Sequence, residues 1–347
     1  MQERQPELGG LTGQRKTEHV RICLEEPVNG IGITTGLERY RFVHQALPDI
    51  DYRDIDLATA WLGKPVRTPL LISSMTGGSS HTASINRRLA VVAEARGWAM
   101  GVGSVRAAVE NPGVADTFQM RDLAPTIPMF ANLGAVQLNM GMGADECRRA
   151  VELVQADGLI LHLNALQEVF QPEGDLNFAG LLHRIEEVCR ALEVPVGVKE
   201  VGWGIAADTA KQLAEVGVAF IDVAGAGGTS WSQVEKMRLP DPIRRQAAEA
   251  FADWGIPTAE SVRQVRAALP DHMVVASGGL RTGVDAAKAL ALGANAAGFG
   301  RSLLAAAADS ETAVDAVLAQ VETELRIAMF GIGARTIEQL RMTERLV

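Results

Sequence analysis

The chain has 347 residues, of which 47% are hydrophobic, 22% charged and 5% aromatic, with 35 glycines and a formal net charge of −9. That length buries a full core without disulfide staples, and the apolar fraction excludes a disordered chain; the glycines follow no Gly-X-Y period, which excludes a collagen-like fibre. The acidic balance argues against a nucleic-acid partner, which needs many phosphate contacts, but leaves room for a local cation cluster that holds a small anion.

The first ten residues, MQERQPELGG, are polar and predict no signal peptide. No uninterrupted apolar run approaches the ~18 residues of a membrane span. Cys23, Cys147 and Cys189 stand far apart, with neither a CxxC pair nor a zinc spacing. Sparse, odd-numbered cysteines suggest a reducing compartment, so a cytoplasmic protein is expected.

Residues 1–65 differ from the rest: they are polar, with scattered glycines and one alternating run, Tyr40 to Val43. They read as an N-terminal extension, with residues 66–347 as the main body. From there short apolar runs alternate with small-residue turns and amphipathic stretches. Eight strands are expected at Leu70–Ser74, Ala99–Gly103, Pro128–Asn132, Leu159–Leu163, Val196–Lys199, Ala219–Val223, Met273–Ser277 and Ala296–Gly300. They are continuous apolar runs, as in strands buried on both faces. Between the first two, Ser80–Arg96 has Ile85, Leu89 and Val92 at helical spacing behind capping serines. Between the last two, Gly283–Leu292 repeats the pattern, with Thr282 as cap and Gly293 as stop. The longest gap, between strands six and seven, holds Thr229 to Pro242 and predicts an extra excursion. Strand–helix alternation implies parallel strands joined by right-handed crossovers. Eight units over about 230 residues favour an α/β fold of the (β/α)8 TIM-barrel type with an N-terminal extension; a doubly wound open sheet is the competitor.

In such barrels function gathers at the C-terminal ends of the strands. The tips read Ser73-Ser74-Met75-Thr76-Gly77-Gly78; Ser104-Val105-Arg106; Asn132; His162-Leu163-Asn164 with Gln167-Glu168; Lys199-Glu200; Gly225-Ala226-Gly227-Gly228-Thr229-Ser230-Trp231; Ser277-Gly278-Gly279-Leu280-Arg281; and Gly298-Phe299-Gly300-Arg301. A lone Asn132 or Ser104 could simply satisfy turn backbone, and a lone His162 could be a core histidine. Lys199 is harder to dismiss, because a buried ammonium must be paired or functional. The glycines of the last two tips let backbone amides approach a phosphate at helix N-termini, with Arg281 and Arg301 adding charge. A phosphorylated cofactor fits these loops, and FMN is the natural candidate. No dinucleotide fingerprint, P-loop or GxSxG elbow is present.

These residues carry a resemblance over nearly the whole chain. Arg15-Lys16-Thr17-Glu18-His19 in the arm, His162-Leu163-Asn164-Ala165-Leu166-Gln167-Glu168, and the tips at Ser74–Gly78, Ser104–Arg106, Lys199–Gly202, Gly225–Trp231 and Ser277–Arg281 resemble the type 2, flavin-dependent isopentenyl diphosphate isomerases. The resemblance implies interconversion of isopentenyl and dimethylallyl diphosphate, with reduced FMN as acid/base, Mg2+ as metal and NADPH as reductant. It further implies a homo-oligomer, tetramer or octamer, and makes residues 1–65 a substrate-capping arm on an FMN-binding barrel. Gln167, His162 and Asn164 would be catalytic. Arg15, Lys16, His19, Ser104, Arg106 and Gln167 would bind the diphosphate substrate, and Glu168 the metal. FMN would be held by Ser73, Ser74, Met75, Thr76, Ser104, Asn132, Lys199 and Thr229, with Gly279, Leu280, Arg281, Gly300 and Arg301 around its phosphate.

Two other readings remain open: another FMN barrel enzyme, of oxidase or dehydrogenase type, and a barrel without catalysis. A 2-hydroxy-acid oxidase needs a histidine base, yet near strands five to seven only His272 occurs, before strand seven; an inosine-phosphate-dehydrogenase-like enzyme needs a cysteine after strand six, where none stands. A barrel that has lost catalysis and only binds a ligand is disfavoured by Gln167, Glu168 and Lys199 occurring together.

Overall fold

The computed structural model describes residues 10–347. Residues 1–9 of the expected arm lie outside the described residues. Eight parallel strands close into a barrel in chain order: Leu70–Ile72, Ala99–Gly101, Met129–Gly134, Gly158–His162, Val196–Lys199, Phe220–Asp222, Met273–Ala276 and Ala296–Phe299, the last pairing back with the first. They are barrel strands one to eight. All eight expected strands are present, so the open sheet is excluded. Several are shorter than expected. Strand one stops at Ile72: Ser73 N–H makes the last ladder bond, to the Phe299 carbonyl at 2.9 Å, and the side chains of Ser73 and Ser74 line a cavity. Strand three runs two residues further, paired with strand four as far as Gly134 opposite His162.

The helix Ser80–Arg96 begins where its serines predict. The Ser79 side chain accepts from Thr82 N–H, and Thr82 caps back in a capping box. Ser79→Ala is expected to cost about 1 kcal/mol, read as a lower urea midpoint with an unchanged slope. The excursion between strands six and seven is real: it carries the helices Trp231–Lys236 and Pro242–Glu249 before the crossover helix Thr258–Ala268. After strand eight, Arg301–Asp309 is followed by Glu311–Ile332, a 22-residue helix packed on Gly283–Ala291.

The N-terminal extension touches the barrel at both ends. Its helix Gly10–Glu25 crosses the mouth formed by the strand tips. Its hairpin, Thr59–Trp61 with Lys64–Val66, turns through Leu62 and Gly63, both at positive φ, and plugs the base. There buried Trp61 packs on Phe130 and Phe220, with ring centroids 5.3 and 6.0 Å apart. The expected division after residue 65 therefore falls inside this hairpin. The alternating run Tyr40–Val43 forms no strand; Arg41 and Val43 N–H donate to the carbonyls of Val347 and Arg345 at the C-terminus.

Candidate active site

A cavity of about 550 Å3 opens at the barrel mouth, between the tips of strands one, five, six, seven and eight and the arm helix. Ser73, Ser74, Met75 and Thr76 form one wall, and Lys199 and Thr229 another. Gly279, Leu280, Arg281, Gly300 and Arg301 close one end. Gly279 has φ +76, and a Cβ there would meet the carbonyl carbon of Gly227 at 2.8 Å, so only glycine fits this approach of two backbones. The helices Gly283–Ala291 and Arg301–Asp309 begin at this end and direct their positive dipole ends to it. Arg301 is anchored by the Asn29 side chain, while among the described residues Arg281 has no side-chain partner.

The Oγ atoms of Ser73 and Ser74 are buried in this wall without a protein partner among the described residues. Buried polar atoms without partners are rare and point to a ligand. Lys199 Nζ donates to the Glu200 carbonyl at 2.6 Å. Burial lowers its pKa, and the Asp222 and Glu200 carboxylates offset this only in part. Asp222 stands beside Lys199 in the strand register, accepts from Ser277 Oγ at 2.6 Å, and has no partner for Oδ2 among the described residues. Hydroxyls and an ammonium along the walls, with glycine amides and two guanidiniums at one end, suit a polar heterocycle carrying a phosphate. FMN fits this donor set.

A second group of polar side chains sits on the tips of strands three and four. His162 Nδ1 donates to Asn132 Oδ1 at 2.8 Å. Burial and then the nearby ammoniums of Lys199 and Lys16 push its pKa down to about 3, so the imidazole is neutral at physiological pH. The helix Ala165–Phe170 places Gln167 and Glu168 inward. Asn164 Nδ2 donates to Glu168 Oε1 at 2.6 Å, and Asp175 N–H donates to Glu168 Oε2 at 2.8 Å. Burial raises the Glu168 pKa, and these hydrogen bonds only partly oppose it. Gln167 Nε2 donates to Glu235 Oε1 at 3.1 Å.

The arm helix joins the two groups. Lys16 Nζ donates to the Ser104 carbonyl at 2.7 Å and lies 5.1 Å from the Phe118 ring centroid. Burial, then the charge of Arg15, lowers the Lys16 pKa to about 7. His19 Nε2 lies 3.0 Å from Glu235 Oε1 and its ring meets Trp231 edge-on. Glu235 is fully buried and also pairs with Arg238 at 2.8 Å, while Arg238 reaches back to Glu18 of the arm at 2.9 Å. Burial pushes Glu235 up, but its bonds from His19, Arg238 and Gln167 outweigh that and hold it below the usual carboxylate range.

Of the expected site residues, Ser73, Ser74, Met75, Thr76, Lys199, Thr229, Gly279, Leu280, Arg281, Gly300, Arg301, Lys16 and His19 line the cavity. Ser104, Asn132, His162, Asn164, Gln167 and Glu168 stand in the neighbouring polar group. Arg106 is already engaged, by Glu110 at 2.8 Å and Asp175 at 3.0 Å. Arg15 lies close enough to influence Glu168. Sequence reading missed Glu235, Arg238, Asp222, Asp175 and Asn29. Glu235 follows Trp231 by one helical turn, which was the available signal; the others are identified only by their partners.

Fold and site together define a flavin-binding (β/α)8 barrel. Residues 161–346 match the family described as FMN-dependent dehydrogenase. Isopentenyl-diphosphate delta-isomerases from Oceanobacillus iheyensis and a Nostoc species are each 52% identical, over 96% and 95% of this chain and 95% and 94% of theirs. The Synechococcus isomerase is 54% identical over 91% of both chains. The chain belongs to the isopentenyl-diphosphate delta-isomerase family, in its flavin-dependent type 2 form. Among solved structures, a lactate oxidase of Pediococcus acidilactici superposes with TM-score 0.66 at 18% identity over 96% of this chain and 94% of that one. A flavocytochrome b2 variant does so with TM-score 0.67 at 18% identity, over 95% and 82%. These two share the fold.

Proposed function

We propose that this protein interconverts isopentenyl diphosphate and dimethylallyl diphosphate by an allylic proton shift, supplying isoprenoid precursors. One juxtaposition carries the reading: a cavity whose orphaned serine hydroxyls and lysine suit FMN adjoins a carboxylate–carboxamide cluster under two cationic side chains of the arm. Reduced FMN, when bound, supplies the acid/base chemistry of the shift. Neither Gln167 nor His162 competes for that role. A carboxamide does not titrate near neutral pH, and His162 stays neutral with its Nδ1 proton committed to Asn132. Both instead orient the substrate, with Gln167 fixed by Glu235 on one side and by Asn164, at 3.4 Å, on the other. Lys16, Arg15, His19 and Arg106 bind the diphosphate, and the arm helix over the mouth excludes water.

Glu168 is the ligand for Mg2+. Among the described residues no three His, Cys, Asp or Glu side chains cluster as a metal site. A Mg2+ shared between one carboxylate and substrate phosphates needs no such cluster. Because the isomerisation has no net redox change, an external hydride donor, NADPH, must first reduce the flavin. Three free cysteines support a cytoplasmic setting. Among the described residues no helix is long and apolar enough to cross a membrane. Exposed Ile243 and Trp254 support contact with further copies of the chain in a homo-oligomer.

The test is anaerobic incubation of isopentenyl diphosphate with protein, FMN and Mg2+, with and without NADPH or dithionite. Dimethylallyl diphosphate is expected only in the reduced samples. No product despite bound, reducible flavin would sink the reading.

A further inference from the structure

Asp175 joins three strand tips. Its Oδ2 accepts from Arg106 Nη1 at 3.0 Å and from Gln137 Nε2 at 2.8 Å. Arg106 belongs to the tip of strand two, and Gln137 to the turn Ala135–Met140 that follows strand three. The Asp175 N–H donates to Glu168 Oε2, on the helix after strand four. Gly174 permits this: a Cβ at that position would lie 1.8 Å from the Glu168 carbonyl oxygen, so a side chain there would push the loop away. The loop is tied down further along, where Asn139 Nδ2 donates to the carbonyls of Asn177 and Ala179 at 2.8 and 3.0 Å. Arg106 is thus held from two directions, Nε by Glu110 and Nη1 by Asp175. Its Nη2 edge has no protein partner among the described residues.

We propose that Asp175 is a positioning residue that fixes the spacing between the Arg106 guanidinium and the Glu168 carboxylate, so that diphosphate and Mg2+ are captured as one unit. The proposal rests on the isomerase reading above, with Arg106 on the diphosphate and Glu168 on the metal. A free arginine beside Glu168 would be drawn to that carboxylate and cancel the charge the metal needs. Asp175 prevents this by taking Nη1 itself, and it leaves the Nη2 edge for a phosphate oxygen. Its main-chain N–H meanwhile turns Glu168 Oε2 to a set position. Partners that orient a metal-binding carboxylate in this way are worth about 10- to 100-fold in metal affinity.

The test is calorimetric binding of isopentenyl diphosphate to the oxidised FMN holoenzyme at graded Mg2+, where no turnover occurs, followed by KM and kcat on the reduced enzyme. Asp175→Ala keeps the main-chain N–H to Glu168 but releases Arg106 and Gln137, so Arg106 can swing onto the Glu168 carboxylate; it is expected to weaken Mg2+-dependent substrate binding about tenfold or more and to raise KM with little change in kcat. Asp175→Asn keeps one acceptor oxygen and is expected to fall between Asp175→Ala and wild type; it also serves if Asp175→Ala loads FMN poorly. Unchanged affinity and Mg2+ dependence in these variants, while Arg106→Ala and Glu168→Gln bind weakly, overturns the role of Asp175 and leaves the isomerase site standing. If Arg106→Ala and Glu168→Gln also bind like wild type, the diphosphate site is elsewhere and both readings fall.

Discussion

Lys199→Met is expected to be purified with little flavin and, when reconstituted, to lose about 10²–10³ of its activity. Among the described residues the ammonium is the one cation in the wall formed by the tips of strands five and six, and a reduced flavin carries negative charge where an oxidised one does not. The variant should therefore bind reduced FMN much less tightly than wild type while oxidised FMN loses less, and the midpoint potential of the bound flavin should fall. A second effect must be separated from this one. Removing Lys199 leaves the Asp222 carboxylate, 1% exposed and with Oδ2 already unpartnered among the described residues, without its neighbouring cation. Breaking a buried pair in this way typically costs about 3–5 kcal/mol of stability. Pairing the change with Asp222→Asn removes the orphaned charge. The double variant should recover stability in urea unfolding but neither the potential nor the activity. A fully active, flavin-replete Lys199→Met protein would refute the role.

Lys16→Met is expected to weaken binding of isopentenyl diphosphate by about 10- to 100-fold, the scale of one hydrogen bond to a charged group. It should also abolish a proton uptake that accompanies binding. With a pKa of about 7, Lys16 is half protonated in the empty site at neutral pH. A bound diphosphate favours the charged form, so about half a proton should be taken up per site at pH 7, more at higher pH and less at lower pH. Affinity should accordingly decline as pH rises above about 7. Titration of the oxidised holoenzyme in two buffers of different ionisation enthalpy reads the uptake directly. Persistence of the uptake in Lys16→Met would assign it to another group. Stability runs the other way. The folded pKa lies below the unfolded value of 10.5, so the cost of burying the ammonium is present in full below pH about 7 and is relieved as pH rises towards 10.5. Lys16→Met should therefore be the more stable protein at neutral pH, which distinguishes lost binding from lost folding.

Much of this architecture can be read in one dimension. The barrel strands are buried on both faces, so each is a short apolar run that periodicity detects, and their parallel order follows from the intervening helices. Ser79 and Thr282 announce their helices because a cap is a local interaction. The cavity residues were legible for a related reason. Glycines at 278, 279 and 300, the serines at 73 and 74 and the lysine at 199 are residue types that a buried strand tip does not carry for packing alone.

The hairpin at the barrel base was not legible, because its three-residue strands are too short for a period and Trp61 is explained only by Phe130 and Phe220 beneath it. Glu235, Asp222 and Asp175 escaped for the same kind of reason. An acidic residue looks alike in sequence whether it is solvated or is the partner of a side chain far along the chain, as in the pairing of Asp175 with Arg106 or of Glu235 with His19. Local pattern along the chain specifies the eightfold strand–helix order, the polar and glycine-rich tips and the chemistry those tips can support. Closure of the barrel sets which of those tips share a cavity, which charges neutralise one another, and that His162 is neutral while Lys16 titrates near pH 7. Packing order is encoded in local periodicity, whereas charge state is set by burial and by partners that the closed barrel alone brings together.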